Sequence, residues 1–339
     1  MRILIYSPTF YPNIGGLETI IASLAHEFTT QGHDVKLISQ TPDADCKQFP
    51  YEVIRQPSKQ KLLQIIQWCE VYFQCCVSLK GVWPLFFVHR PLVIAHHTWY
   101  RRNDGSESWQ DYLKKLVIRF ASNISISQAI SKELPVTSTI IPNSYREDMF
   151  YEMPEIQRDR ELVFLGRLVS DKGVNLLLDA LAQLKSRGLT PRLTIIGSGP
   201  EEINLRQQVQ NLELIEQVTF AGVKLEHELT KLLNAHQIMV VPSLWDEPFG
   251  IVALEGLACG CVVIGSERGG LKDAIGLCGI TFPNGNLQAI TESLVNLLQN
   301  QNQLASYKAN APAHLLRHQK SVIAQSYLQV LETAINSRR

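Results

Sequence analysis

Residues 238 to 265 read IMVVPSLWDEPFGIVALEGLACGCVVIG, in which two short runs rich in β-branched side chains, Ile238–Val241 and Val262–Gly265, flank a helix-like stretch. Short apolar runs bounded by turn residues suit strands buried on both faces, and a helical crossover between them makes the strands parallel. The same alternation extends in both directions. Glu161–Leu165, Arg192–Ile196, Val218–Ala221 and Gly279–Phe282 complete six candidate strands in the second half. The first half offers Arg2–Tyr6, Asp34–Ser39, Val71–Phe73, Pro91–His96, Asn123–Ser125 and Thr139–Ile141, with a helix predicted over Gly16–Thr30. The predicted class is α/β, with a doubly wound parallel sheet in each half.

At 339 residues the chain is long enough for two domains of the usual ~100 to 200 residues. The polar stretch Tyr145–Arg160, YREDMFYEMPEIQRDR, carries Pro154 and is read as an exposed connection, which places domains at 1–150 and 151–320. The remaining 321–339 contains apolar residues at helical spacing over Ser321–Ser337 and is expected to dock one face on a domain, with a return to the first domain left open.

Hydrophobic residues at 45% and charged residues at 19% exclude a disordered chain. Thirty-two Lys plus Arg balance 32 Asp plus Glu, so no long-range field attracts nucleic acid and a charged ligand must be held locally. The seven cysteines, at 46, 69, 75, 76, 259, 261 and 278, are odd in number and include no C-x-x-C, against a disulfide framework or a common zinc site. Met1–Pro8 is too short for the apolar core of a signal peptide. Val82–Ala95 is interrupted by Pro84, His89, Arg90 and Pro91, short of the roughly 18 residues needed to span a bilayer. A cytoplasmic protein is expected, with the apolar Val82–Val88 run beside Arg90 leaving peripheral contact at the inner membrane face open.

Five features can carry chemistry. Pro12-Asn13-Ile14-Gly15-Gly16 follows the first strand, where paired glycines let backbone approach an anion or a sugar hydroxyl at a helix start; a plain strand-to-helix turn would look the same. Gly166-Arg167-Leu168-Val169-Ser170-Asp171-Lys172-Gly173 sets two cations, five positions apart, beside a helix N-terminus, a place where cations oppose the dipole unless an anion binds. Arg167 and Lys172 together could clamp a diphosphate without metal. Gly197-Ser198-Gly199 repeats the strand-to-helix glycine pattern but lacks the third glycine of a dinucleotide fingerprint, so a nicotinamide enzyme is poorly supported. In Trp245–Glu255, Pro248 and Gly250 place Glu247 in a loop before a helix and Glu255 inside it, two carboxylates suited to hydroxyls of a hexose and a ribose. Finally His96-His97-Thr98-Trp99 ends a strand and is followed by Tyr100, Arg101 and Arg102; which imidazole faces a ligand is open at this point.

Taken in order, these residues resemble the retaining nucleotide-sugar glycosyltransferases of family 4, which have the two-domain GT-B fold. The resemblance spans most of the chain, from RILIYSPTFYPNIGGLE through HHT, SISQAIS and IPNSYREDMF to FLGRLVSDKGVNLLLDAL, LTIIGSGPE, VTFAGV and the Glu247/Glu255 stretch. It implies two Rossmann-like domains facing a cleft, the first on the acceptor side and the second binding the nucleotide sugar. It implies donor contacts from Gly16, Arg167, Lys172, Gly197, Glu247, Phe249, Gly250, Ile251 and Glu255, with His97 orienting the hexose and His97, Glu247, Arg167 and Lys172 serving catalysis. The expected reaction is metal-independent front-face hexosyl transfer, without cofactor, to a sugar, lipid-linked or small-molecule acceptor. A nucleotide-sugar hydrolase or epimerase of the same fold and a non-catalytic binding scaffold are the competing readings. Ser144 stands where the family usually has glycine, and Asp273 where glutamate is commoner.

Overall fold

The computed structural model describes residues 1–13, 15–42, 47–101 and 108–337; Ile14, Cys46 and Arg102 of the sequence reading lie outside them. The chain folds into two compact units, Met1–Ser144 with Lys320–Arg339, and Tyr145–Gln319.

The first unit holds β1 (Arg2–Ser7), β2 (Asp34–Ser39), β3 (Glu52–Arg55), β4 (Val71–Cys75), β5 (Leu92–His96), β6 (Ser122–Ser125) and β7 (Thr139–Ile140). They pair in the order β3-β2-β1-β4-β5-β6-β7, every neighbour parallel. Helices α1 (Gly16–Thr30), α2 (Lys59–Trp68), α3 (Leu79–Val82), α4 (Trp109–Val117) and α5 (Gln128–Glu133) connect them. The central strands β4 and β5 are buried along their whole length, as strands covered on both faces must be. Sequence reading missed β3 because EVIR lies at the sheet edge, only partly covered, and has no continuous apolar run. The predicted strand at Val71–Phe73 runs on through Gln74 and Cys75.

The second unit contains β8 (Arg160–Leu165), β9 (Leu193–Ile196), β10 (Val218–Gly222), β11 (His236–Val241), β12 (Val262–Ser266) and β13 (Gly279–Phe282), ordered β10-β9-β8-β11-β12-β13 and again parallel. Its helices are α6 (Val174–Ser186), α7 (Glu202–Asn211), α8 (Glu226–Asn234), α9 (Ile251–Ala258), α10 (Leu271–Ile275), α11 (Leu287–Gln299) and α12 (Gln301–Leu316). The chain builds outward from β8 to β10 and then returns to place β11 on the other flank of β8. The carboxyl ends of β8 and β11 therefore frame a topological switch point, where open α/β sheets bind ligands.

Two boundaries differ from the sequence reading. Tyr145–Arg160 is part of the second unit rather than an exposed link: Thr230 Oγ1 donates to Met149 O at 2.9 Å, Asn234 Nδ2 to Tyr151 O at 2.9 Å, and Met153 N to Asn234 Oδ1 at 2.8 Å. Phe150 and Met153 are buried, so polar residues of α8 satisfy the backbone while two apolar side chains anchor it. The chain thus divides at Ser144/Tyr145 and at Gln319/Lys320, not at 150/151 and 320/321. The last helix, α13 (Lys320–Asn336), joins the first unit, packing on α1, β4 and β5, with Tyr327 edge-on to Phe73 at 5.7 Å between ring centroids.

The loops leaving β8 and β9 lie backbone on backbone. Gly166 N donates to Ile196 O at 3.0 Å and Leu168 N to Ser198 O at 2.9 Å. Gly197 has φ +135°, and a Cβ there would stand 1.9 Å from Gly166 O. At Gly188, φ is +81° but no atom lies within 4 Å of a built Cβ. Gly188→Ala is accordingly expected to cost about 1 kcal/mol from backbone strain alone. Gly197→Ala adds a backbone clash and should cost about 2 to 4 kcal/mol in denaturant titrations; equal losses at the two sites would contradict the contact.

Candidate active site

At the β8/β11 switch point two loops are fastened together. The first runs from Gly166 through a 3-10 turn at Ser170–Lys172 and Gly173 into α6; the second runs from Pro242 to Gly250 into α9. Asp171 O accepts from Leu244 N at 2.8 Å and Trp245 N at 3.3 Å. Gly173 sits at φ +67° with its α-carbon against Pro242, where a Cβ would meet the carbonyl oxygen at 2.0 Å. This close approach brings Lys172 and Glu247, 75 residues apart, into contact: Lys172 Nζ lies 2.5 Å from Glu247 Oε1, and Ser243 Oγ donates to the same oxygen at 2.8 Å. The paired side chains are 21% and 13% exposed, so the pair is partly desolvated yet open on one side. Gly270 N donates to Glu247 O at 2.7 Å and fixes the carboxylate's backbone from behind. Arg167 is exposed and makes no ion pair or side-chain hydrogen bond among the described residues. With Lys172 offset by Glu247, Arg167 stands beside the pair as an exposed cation, in a loop that also carries Asp171.

Phe249 is buried against His318, with ring centroids 5.8 Å apart. Gly250, at φ +100°, turns the chain so that α9 starts at Ile251. Ala253, Leu254 and Leu257 of α9 are buried. Glu255, between them, is partly buried and has no ion pair or hydrogen bond from its carboxylate among the described residues. Burial lifts its carboxyl to about 7, and nearby Arg146 only partly opposes the rise. A carboxylate left without donors in such a place is suited to a ligand that brings hydroxyls.

Gly197 belongs to the β8–β9 backbone contact described above. The remaining candidates lie in the first unit. Gly16 opens α1, whose N-cap Gly15 provides no side-chain cap, while Glu18 supplies the acid of the first turn. The two histidines separate cleanly. His96 is fully buried, with Nδ1 2.5 Å from Tyr100 Oη and Nε2 2.9 Å from Asn123 Oδ1, a satisfied core imidazole. His97 Nε2 is buried without a hydrogen-bond partner, and burial together with His96 lowers its pKa to about 3, leaving a neutral imidazole at the carboxyl end of β5. Arg101 pairs with Glu133 at 2.9 Å, and its guanidinium lies 5.2 Å from the Trp99 ring centroid.

Sequence reading missed the residues that hold Glu247 in place. Ser243 binds its carboxylate, Ser266 Oγ donates to Ser243 O at 2.6 Å, and Asn284 Nδ2 donates to Ser243 O at 3.1 Å. Each follows or ends a strand at the carboxyl edge, a position that marks it as near the site but says nothing of its partner. Among the described residues no group of three His, Cys, Asp or Glu side chains is placed to ligate a metal.

The raised Glu255 carboxyl makes stability depend on pH with a definite sign. The folded state holds its proton more tightly than the unfolded state, so this group lowers stability as pH rises from about 4.5, its ordinary value, to about 7. Glu255→Gln should be more stable than wild type at pH 8 and lose that advantage by pH 4, read from paired melting curves; a pH-independent difference would refute the unpaired carboxyl.

The family model described as glycosyl transferases group 1 matches residues 146–314, nearly the whole second unit. A phosphatidyl-myo-inositol mannosyltransferase of Mycobacterium leprae is 25% identical over 99% of this chain and 98% of its own length. An alpha-monoglucosyldiacylglycerol synthase of Streptococcus pneumoniae is 25% identical over 78% of this chain and 70% of its own. Among solved structures, Anabaena Alr3699/HepE in complex with UDP and glucose superposes with a TM-score of 0.78 over 98% of this chain and 100% of that one, at 22% identity. Together with the paired loops of the second unit and the two parallel sheets, these likenesses make the chain a group 1 glycosyltransferase of the family 4 type, built on the two Rossmann-like domains of the GT-B fold.

Proposed function

We propose that the chain transfers a hexose from a nucleoside-diphosphate sugar to an acceptor hydroxyl with retention of configuration and without a metal ion. The observation that carries this reading is the loop pair of the second unit, where Lys172, Ser243 and Glu247 form one bonded set beside the exposed Arg167. Arg167 offers a planar fork to the diphosphate, and the α6 N-terminus adds backbone dipoles of the same sign. Glu255 has the acceptor capacity for a ribose diol, and Glu247, with one oxygen already bonded, has a second for a hexose hydroxyl.

Retention follows from front-face transfer: the acceptor oxygen bonds the anomeric carbon on the face from which the diphosphate departs, the carbon–diphosphate oxygen bond breaks, and the leaving diphosphate oxygen takes the acceptor proton. The protein's part is to orient the donor and to stabilise charge on the departing diphosphate, a task for Arg167 and Lys172 in place of a divalent ion. His97 keeps its assignment to hexose orientation as a neutral hydrogen-bonding group, since its low pKa disfavours service as a base at neutral pH. The names of the two relatives reported above, each matched over most of this chain, concern lipids, and we favour a lipid-linked acceptor over a free sugar or another small molecule. Reaction at the cytoplasmic face of the membrane is consistent with that choice.

Purified protein screened in chelator against uridine, guanosine and adenosine diphosphate sugars is expected to show a thermal shift with one donor class. At about 100 times the dissociation constant the gain is about 2.7 kcal/mol, and Arg167→Ala should abolish it at the same concentration. No shift with any donor would favour a non-catalytic scaffold; free or epimerised hexose formed without acceptor would favour a hydrolase or epimerase.

The two carboxylates should separate in kinetics. Glu255→Ala is expected to weaken nucleoside-diphosphate binding by about tenfold or more, the loss of one or two charge-assisted hydrogen bonds. Glu247→Gln should bind nucleotide within about threefold of wild type while turnover falls by about a hundredfold. Equal binding losses would overturn this division.

A further inference from the structure

One helix of the first unit turns its apolar side outward. α4 contains no buried residue, and Trp109, Tyr112, Leu113 and Leu116 are 68%, 64%, 41% and 51% exposed. At 100° per residue these four positions fall within an arc of about 100°. The chain continues into a 3-10 turn, Ile118–Phe120, in which Ile118 is fully buried but Phe120 is 73% exposed. Beside it, Phe86 and Phe87 at the end of the Trp83–Phe86 turn are 80% and 72% exposed. Phe86, Leu116 and Phe120 line a common apolar groove of about 340 Å³, so the two segments form one surface.

The same two segments, 80–90 and 108–120, carry Lys80, Arg90, Lys114, Lys115 and Arg119 against a single acid, Asp111, in a chain whose formal net charge is zero. Asp111 is engaged by Ser108 and Lys114. A contiguous apolar stripe with a basic border matches the cross-section of a leaflet: apolar and aromatic side chains at the headgroup–acyl boundary, cations at the depth of lipid phosphates. An aqueous protein partner needs no such segregation of aromatic and basic groups. We propose that this face of the first unit docks on a membrane leaflet containing anionic phospholipid. Among the described residues no helix is long and apolar enough to cross a membrane; the proposed attachment is through this surface. The proposal stands on residues of the first unit alone and holds or fails independently of the donor chemistry.

The test is co-sedimentation of the full chain with vesicles of phosphatidylcholine alone and with phosphatidylglycerol mixed in. Binding is expected only to the mixed vesicles and should weaken on raising salt. Phe86→Ser with Phe120→Ser should lower the vesicle partition coefficient by about tenfold or more, and Arg119→Gln by about fivefold. Both variants alter exposed side chains, so an unchanged melting temperature serves as the folding control. Equal binding to both vesicle types, no binding to either, or binding unaffected by the variants would overturn the proposal. A dimer in solution that Phe86→Ser with Phe120→Ser dissociates would overturn it in favour of a second copy as the occupant.

Discussion

Two carbonyl oxygens, Gly166 O and Pro242 O, press so closely on the backbone at Gly197 and Gly173 that no side chain fits between them. The geometry of the second unit's switch point rests on this. Backbone stacked on backbone fixes the loops after β8, β9 and β11 with little of the side-chain freedom that would blur them. The loops also gain hydrogen bonds of the sheet type beyond the strand ends, at Gly166 N, Leu168 N and Leu244 N. Only after this fastening can Lys172 and Glu247 meet, because their loops belong to strands that are neighbours in space and distant in sequence.

The two carboxylates of the site differ because their surroundings differ. Glu247 stands in a polar loop, with Lys172 and Ser243 on one oxygen, and its position is held further by Ser266, Gly270 and Asn284. Glu255 rises from α9 beside Ala253, Leu254 and Leu257 without a donor among the described residues, and its carboxyl resists ionisation. One carboxylate is held in place by hydrogen bonds, and the other is raised in pKa by burial. Paired groups with divergent environments are a common way for a site to divide positioning from binding.

The first unit follows the same logic with other means. His96 and His97 are adjacent on one strand end, so their side chains leave in different directions. One closes a bonded core triad with Tyr100 and Asn123, and the other keeps a buried, unpartnered nitrogen. α4 has no fully buried residue and meets the core through Val117 at its end, although its sequence, WQDYLKKLV, is strongly amphipathic. Its apolar stripe is thus a surface property of the unit and contributes nothing to the core beneath it, which is built from β1, β4, β5 and α2 with Ile118.

Much of this was legible in the order of residues. Strand positions followed from β-branched runs, the helix starts from Pro248, Gly250 and Gly16, and the carboxylate pair from the spacing of Glu247 and Glu255 along a loop and a helix. β3 was not legible, because an edge strand covered on one side lacks the apolar run that marks a central one. Nor was the membership of Tyr145–Arg160, whose polar composition hides Phe150 and Met153 and whose backbone is satisfied by side chains some eighty residues away. The sequence by itself determined the α/β class, the loops at the strand ends and the residue types in them, because these depend on local periodicity and turn geometry. Only the tertiary structure decided that Lys172 neutralises Glu247, that Glu255 stands without a donor among the described residues, that His97 rather than His96 keeps an unpartnered Nε2 among them, and that α13 returns to the first unit. Each of those depends on which distant segments the sheet order makes neighbours, and on the dielectric surroundings that this packing creates.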